Sequence, residues 1–412
     1  MSQTSPPPGL SRTLTFVLAF SCGAVVANLY YVQPLVGIVG PEIGLPTALV
    51  GLIVTLTQLG YAAGLLVLVP LGDQLENRRL VVVTLCCGVV ALIGAALAPS
   101  AGLFLTASFL IGATSVSAQM MVPIAAHLTP ERSRGRVVGN VMSGLLLGIL
   151  LARPVGSLVA HALGWRAVFG LGAGLLAVLA VVLRLALPER RPAPGLRYGR
   201  LLLSLWPLLR GTRVLQRRAL YHACLFASFS LFWTGAPILL SGPVFGLSQA
   251  GIALFALSGA AGALVAPLAG RLADRGYGRV VTGIALAWVA AAFLLARIGG
   301  HGSLASLVVA GIVLDSGVQA NLVTGQRAIY TLGDAVRSRL NGLYMAIFFT
   351  GGALGSALTS PAMAWGGWNA VTWLGVAFPV AALLLFATEF WPVAVQPKPE
   401  PGSGAAGTRA RP

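Results

Sequence analysis

Long apolar runs alternate with short polar breaks along most of the chain. The runs fall near 13–37, 46–71, 80–98, 101–127, 137–161 and 166–187, and resume near 219–241, 247–269, 279–298, 302–326, 340–363 and 369–391. A helix needs about 20 apolar residues to cross a bilayer, and each run is near that length. The pattern predicts an all-α membrane protein with twelve transmembrane helices in two six-helix halves, 13–187 and 219–391. Residues 1–12 form a short head. The connecting segment 188–218 carries PERRPAPGLRYGR and then LLLSLWPLLR, which predicts a short surface helix with Trp206 among lipid headgroups. The tail, 392–412, contains PKPEPGSGAAG and is predicted to be disordered.

The two halves repeat. Asp73 in GDQLENRR corresponds to Asp274 in ADRGYGR at an offset of 201 residues. Glu131 and Arg134 correspond to Asp334 and Arg337 at an offset of 203, and Gly164-Trp165 corresponds to Gly367-Trp368 at the same 203. Parallel six-span repeats imply two bodies that rock about a site near the bilayer midplane.

Composition sharpens this reading. Only 9% of residues are charged and 57% are hydrophobic, against about 25% charged in average soluble domains. The net charge of +17 would suit a nucleic-acid partner, but its distribution excludes that. Of 27 basic residues, 24 fall on one side of the predicted membrane, two (Arg166 and Arg297) on the other, and Arg153 lies within a span. Such asymmetry sets topology, with both termini cytoplasmic, and favours contact with anionic lipid. The four cysteines all lie in apolar runs and imply no disulfide framework. The four histidines show no zinc spacing, and no phosphate-binding loop is present. No cofactor, no metal and no enzymatic activity are expected, so an ion gradient is the expected energy source.

Of ten acidic residues, nine fall in loops, tails or span ends. Asp315 alone sits mid-span, in SLVVAGIVLDSGVQANLV. An ionisable group at that depth is costly and marks function by default. Asp315 is the first candidate for a proton-coupling group, the alternative being a structural bond to a neighbouring helix. Gln319 and Gln326 extend a polar stripe from it. Arg153 is the basic counterpart, beyond the middle of the fifth span. It pairs with Asp315 across the halves, binds an anionic substrate, or packs between helices and snorkels outward.

With these residues in hand, the chain resembles the major facilitator superfamily over 12–391. The family's signature loop between second and third spans is roughly Gly-x-x-x-Asp-Arg/Lys-x-Gly-x-Arg-Arg/Lys. Gly270, Asp274, Arg275, Gly276 and Arg279 match its core. In the first half Asp73, Arg78 and Arg79 are kept, whereas Val69 stands for the leading glycine. Gly144 and Gly148 in the fifth span, with the late Pro154, resemble a variant antiporter motif. ANLYYVQPL, GWRAVF and DSGVQ…RSRLNGLYM are similar to a bacterial branch near the drug:proton antiporters.

The resemblance implies a secondary transporter of a bacterial inner membrane, working by alternating access as a monomer. Proton-coupled efflux of a small organic molecule is the expectation; proton-coupled uptake, uncoupled facilitation and a non-transporting sensor are the alternatives. In family members spans one, four, seven and ten line the cavity. That makes Asn28, Tyr31, Gln119, Phe229, Trp233, Gln319 and Asn321 candidate substrate contacts, with Gln58 on span two beside them. The arginines and carboxylates of the two signature loops would act as latches between the halves. Trp165, Trp365, Trp368 and Trp391, at span ends, are expected to anchor at the membrane interface.

Overall fold

A computed structural model describes residues 10–191, 197–333 and 336–390. Among these residues the chain is helical, with no strand. In the first half the helices are α1 (Arg12–Ala27), α2 (Val36–Glu42), α3 (Leu52–Val67), α4 (Asn77–Ala96), α5 (Ala101–Ser115), α6 (Ser117–His127), α7 (Glu131–Leu163) and α8 (Trp165–Ala186). Two short helices follow in the connecting segment, α9 (Tyr198–Leu203) and α10 (Leu205–Gly211). The second half comprises α11 (Arg213–Ser241), α12 (Gln249–Gly262), α13 (Ala266–Leu272), α14 (Gly278–Gly299), α15 (Leu304–Tyr330) and α16 (Arg337–Ala387). The predicted tail, 392–412, lies outside the described residues, as do most of the predicted head and Asp334.

Nine helical segments among the described residues are long and apolar enough to cross a membrane. They are not twelve separate helices, because two of them, Gln249–Gly299 and Arg337–Ala387, run 51 residues each. Both contain a break at glycine. Gly276 takes φ 88° in a π-helical turn, and Gly367 takes φ 58° inside α16. Left-handed φ is inexpensive for glycine alone. Gly164 does the same between α7 and α8, with φ 83°. Each half thus turns the chain at the glycine of its Gly-Trp pair.

The tryptophans after those glycines are buried rather than anchored at an interface. Trp165 packs edge-on against Phe104 and Phe169. Trp368 donates from Nε1 to the Ala296 carbonyl at 2.8 Å. An indole whose N–H finds a partner inside the bundle has no need of the headgroup region. Trp365 remains 91% exposed, as an anchor would be, and Trp391 lies outside the described residues. Trp206 on α10 is exposed, with the Arg210 guanidinium 4.4 Å above its ring.

Small residues let the helix backbones meet. A methyl on Gly148 would overlap the Gly23 backbone between α7 and α1, and one on Gly351 would overlap Ala223 between α16 and α11. The two glycines are 203 residues apart, so the repeat reappears as packing. In lipid, where apolar surfaces gain little from each other, such close approach drives association.

We name the arginine-rich ends of the helices inner and the opposite ends outer. The halves meet where α3 lies along α16 and α7 along α12. Among the described residues, hydrogen bonds cross between the halves in the outer part. Ser360 Oγ accepts from Gly51 N at 2.8 Å, the Thr55 and Ser356 hydroxyls stand 2.9 Å apart, and Gln58 Nε2 donates to Ser230 Oγ at 2.8 Å. The inner part of α7, around 131–140, is largely exposed, whereas Ala152 to Ser157 are mostly buried. The outer seam is closed.

Candidate functional site

Asp315 sits eleven residues into α15, 5% exposed. The α12 glycines make room for it. A methyl on Gly259 would stand 2.6 Å from Asp315 Oδ2, and one on Gly262 would stand 2.5 Å from its Cβ. Trp233, buried on α11, donates from Nε1 to Oδ1 at 2.9 Å. A hydrogen bond to a carboxylate is stronger than one between neutral groups, and more so away from water.

Arg153 arrives at the same depth from the other half, on α7, and is 2% exposed. Its guanidinium lies 4.4 Å from the Trp233 ring centre, 4.9 Å from Phe229 and 5.3 Å from Tyr30. Its Nε donates to Gln33 Oε1 at 2.7 Å, and Nη2 has no protein partner. A planar, weakly hydrated cation is the type that aromatic faces can hold out of water. Arg153 therefore packs inward rather than snorkelling.

Arg153 and Asp315 make no direct ion pair within 4.0 Å. The indole of Trp233 stands between them, its face toward the cation and its N–H edge on the carboxylate. The first half supplies Arg153, Tyr30 and Gln33; the second supplies Phe229, Trp233 and Asp315. The two intramembrane charges are thus coupled through an aromatic ring across the seam between the halves.

Other sequence candidates lie around this centre or away from it. Gln58 borders it through Ser230, and its Oε1 has no protein partner. Gln319 is half-buried one turn along α15. Gln119 donates to the Tyr61 hydroxyl at 3.1 Å, and Tyr61 packs on Phe349 across the seam. Asn28 and Tyr31 bond to each other, and Tyr31 stands edge-on to Phe169 of α8. Both follow the end of α1 and pack toward α7 and α8, where a methyl on Gly156 would meet Tyr31 and one on Gly172 would meet both. Their neighbours Tyr30 and Gln33, which share the other face, are the ones turned inward.

Asn321 Nδ2 lies 2.9 Å from His222 Nδ1, whose ring stacks 4.3 Å from Phe348. His222 lies only three residues into its apolar run, 219–241. It is nonetheless fully buried, because α11 begins at Arg213, six residues before the apolar run. Its Nε2, Asn321 Oδ1 and the nearby Tyr344 hydroxyl lack protein partners. The signal available was a polar residue within the first turns of an apolar run.

The signature loops hold their inner ends differently. Asp73 lies within electrostatic reach of Arg339 in the opposite half. Arg78 pairs instead with Glu189 at the end of the sixth run. Arg79, exposed, gives its backbone N–H to Glu76, which caps α4 by accepting from Arg78 N and Arg79 N at 2.8 Å each. Burial raises the Glu76 carboxyl, but the N–H groups of Arg79, Arg78 and Arg190 outweigh it and hold it below the ordinary value. In the second half Asp274 pairs with Arg327 of α15, within its own half, and a methyl on Gly270 would stand 3.4 Å from that arginine. Arg275 is exposed beside the turn at Gly276, and Arg279 Nε is 3.3 Å from Glu389 Oε2. The Asp73 side reaches toward the opposite half in this conformation.

Comparison with known proteins agrees with this architecture. The sequence profile of the Major Facilitator Superfamily matches residues 15–323 and again 245–412. An uncharacterized transporter of Escherichia coli, YgaY, is 40% identical over 388 residues, covering 93% of this chain and 97% of its own. A chloramphenicol efflux pump of Mycobacterium tuberculosis is 26% identical over 191 residues, covering 46% of each chain. Among solved structures, the nucleoside transporter NupG superposes with a TM-score of 0.73 at 15% identity, covering 91% of this chain and 98% of that one. The fold, the repeat and the match along the chain together make this protein a member of the Major Facilitator Superfamily.

Proposed function

We propose that this transporter exports a small organic molecule in exchange for protons, with Asp315 as the proton site. The observation that carries the reading is the Arg153–Trp233–Asp315 arrangement, which sets opposite charges on opposite halves and joins them through one ring. A charged Asp315 holds the indole by its N–H and draws Arg153 toward the second half, favouring a closed outer seam. A proton on Asp315 removes that charge and leaves Arg153 without a counter-charge, so the contact across the seam differs between the two protonation states. Release of the proton to the inner side restores the attraction. Alternating access driven by such a two-state contact needs only that one ion favours one state.

The substrate would meet the aromatic faces of Phe229, Trp233 and Tyr30, with Gln58 and Gln319 at the rim. Arg153 modulates the proton site by its charge. Asn28, Tyr31, Gln119 and Asn321 serve as supporting contacts between helices. The signature-loop residues Asp73, Arg78, Arg79, Gly270, Asp274, Arg275, Gly276 and Arg279 exchange partners as the inner ends open and close. The arginine-rich side is cytoplasmic on charge grounds, in a bacterial inner membrane. The distant resemblance to a chloramphenicol pump supports the outward direction and supplies a first probe.

The test is purified protein in liposomes with a trapped pH dye, challenged with chloramphenicol and then with pooled organic compounds. Export coupled to protons predicts dye-reported proton movement upon addition of a transported compound. Compound movement at the same rate with and without a pH gradient, and without dye response, would make the protein a facilitator.

A further inference from the structure

A second cavity lies away from the central site, on the lipid-facing side of the first half. It is a groove of about 1130 Å³ between α1, α7 and α8. Helix α8 lines only its outer part, from Val168 to Leu176, so the inner part is a wedge bounded by α1 and α7. The walls are apolar and open: Phe16 and Phe20 stack on α1, facing Leu147 and Leu151 of α7, and all four are substantially exposed. At the inner mouth stand Arg12 and Arg136, with Ser133 and Asn140 between and beside them. Both arginines are exposed, and neither is ion-paired with any acid among the described residues.

We propose that this groove binds one anionic phospholipid from the leaflet at the inner end. Its phosphate sits between Arg12 and Arg136, and an acyl chain lies along Phe16, Phe20 and Leu147. The dimensions agree. Leu147 lies eleven residues beyond Arg136, about 16 Å along the helix at 1.5 Å per residue, close to one leaflet's share of a hydrocarbon core about 30 Å thick. The charges agree as well, because two unpaired cations above an apolar wedge match a headgroup that is negative above a chain that is apolar. Guanidinium groups suit phosphate in particular. A second protein helix would leave both cations uncompensated unless it carried acids at that depth.

Full-length protein in detergent micelles would be examined by native mass spectrometry with phosphatidylglycerol and with phosphatidylcholine of identical chains. Each arginine near anionic lipid contributes about a five-fold gain in binding, so about thirty-fold is expected for the two. Wild type should retain one phosphatidylglycerol in preference to phosphatidylcholine. Arg12→Gln/Arg136→Gln should lose most of that preference, while Arg184→Gln/Arg200→Gln, removing two exposed arginines elsewhere, should keep it. Leu147→Trp fills the wedge without touching the charges and should also lower retention, which keeps the test open if the double variant fails to fold. Equal retention of both lipids, equal loss in the two double variants, protection by inorganic phosphate alone, or a dimer in place of the lipid would each overturn the proposal.

Discussion

Replacing Trp233 by Phe keeps a ring beside Arg153 but removes the N–H that Asp315 accepts at 2.9 Å. A hydrogen bond to a charged group contributes about 1.5–3 kcal/mol, a neutral one about 0.5–1.5. Asp315→Asn can still accept the indole N–H, but only as a neutral partner. The double-mutant cycle of Trp233→Phe and Asp315→Asn therefore isolates the charge-assisted share of the bond. That share should be about 1–2 kcal/mol, since bonds within membrane bundles run toward the weak end. The assay is reversible unfolding in mixed micelles of dodecyl sulfate and a mild detergent, near neutral pH, with helicity as the signal. Each single variant is compared with the double, so lost packing of the indole cancels between the two arms. Effects that add to within about 0.3–0.5 kcal/mol mark independent sites. Additivity of that kind would refute a carboxylate bonded to Trp233 and the coupling built upon it.

Three further outcomes follow from the geometry. Arg153→Lys keeps the charge but loses the planar contact with three rings and the bond to Gln33, so substrate-driven flux should fall at least ten-fold, about 1.4 kcal/mol; flux near wild type would show that charge alone suffices. Thr55→Cys with Ser356→Cys, whose hydroxyls lie 2.9 Å apart, should cross-link on oxidation and stop transport until reduced, and unimpeded transport in the cross-linked protein would contradict a moving outer seam. Glu76→Ala should cost about 1 kcal/mol through loss of the α4 cap. Because the folded Glu76 carboxyl titrates below its ordinary value, its contribution is present above that value and fades as pH falls through the lowered one. Wild-type and Glu76→Ala melting curves should accordingly converge on acidification, and a gap that widens would reverse the sign.

Much of the architecture was legible in the sequence because membrane constraints are simple. Apolar runs, the arginine asymmetry and the 203-residue repeat required no knowledge of packing. Asp315 and Arg153 stood out for the same reason, as charges where charges are costly. What the sequence did not fix is which face of each helix looks inward. In a lipid-embedded bundle both the core and the outer surface are apolar, so periodicity gives little orientation. Position along the chain therefore does not separate Asn28 and Tyr31 from Tyr30 and Gln33, of which the latter two are the ones beside Arg153. Trp165 and Trp368 read as interface anchors because of their position at span ends, and only their neighbours show them to be core. The burial of His222 is not visible in the apolar run alone, because α11 extends inward beyond that run through Arg213, Arg217 and Arg218. The partners of Asp73 and Asp274 depend on the conformational state, which no single-chain pattern encodes.

The most direct test of the account uses Asp315→Asn in liposomes, comparing two modes of transport of one compound that wild type moves. Exchange of labelled for unlabelled compound at equal pH requires the site and the rocking motion but no net proton movement. Accumulation driven by a pH gradient requires proton binding at Asp315 as well. The account predicts that Asp315→Asn retains exchange and loses gradient-driven accumulation together with the accompanying dye signal. A variant that still accumulates the compound against its gradient, with protons moving as in wild type, would contradict it.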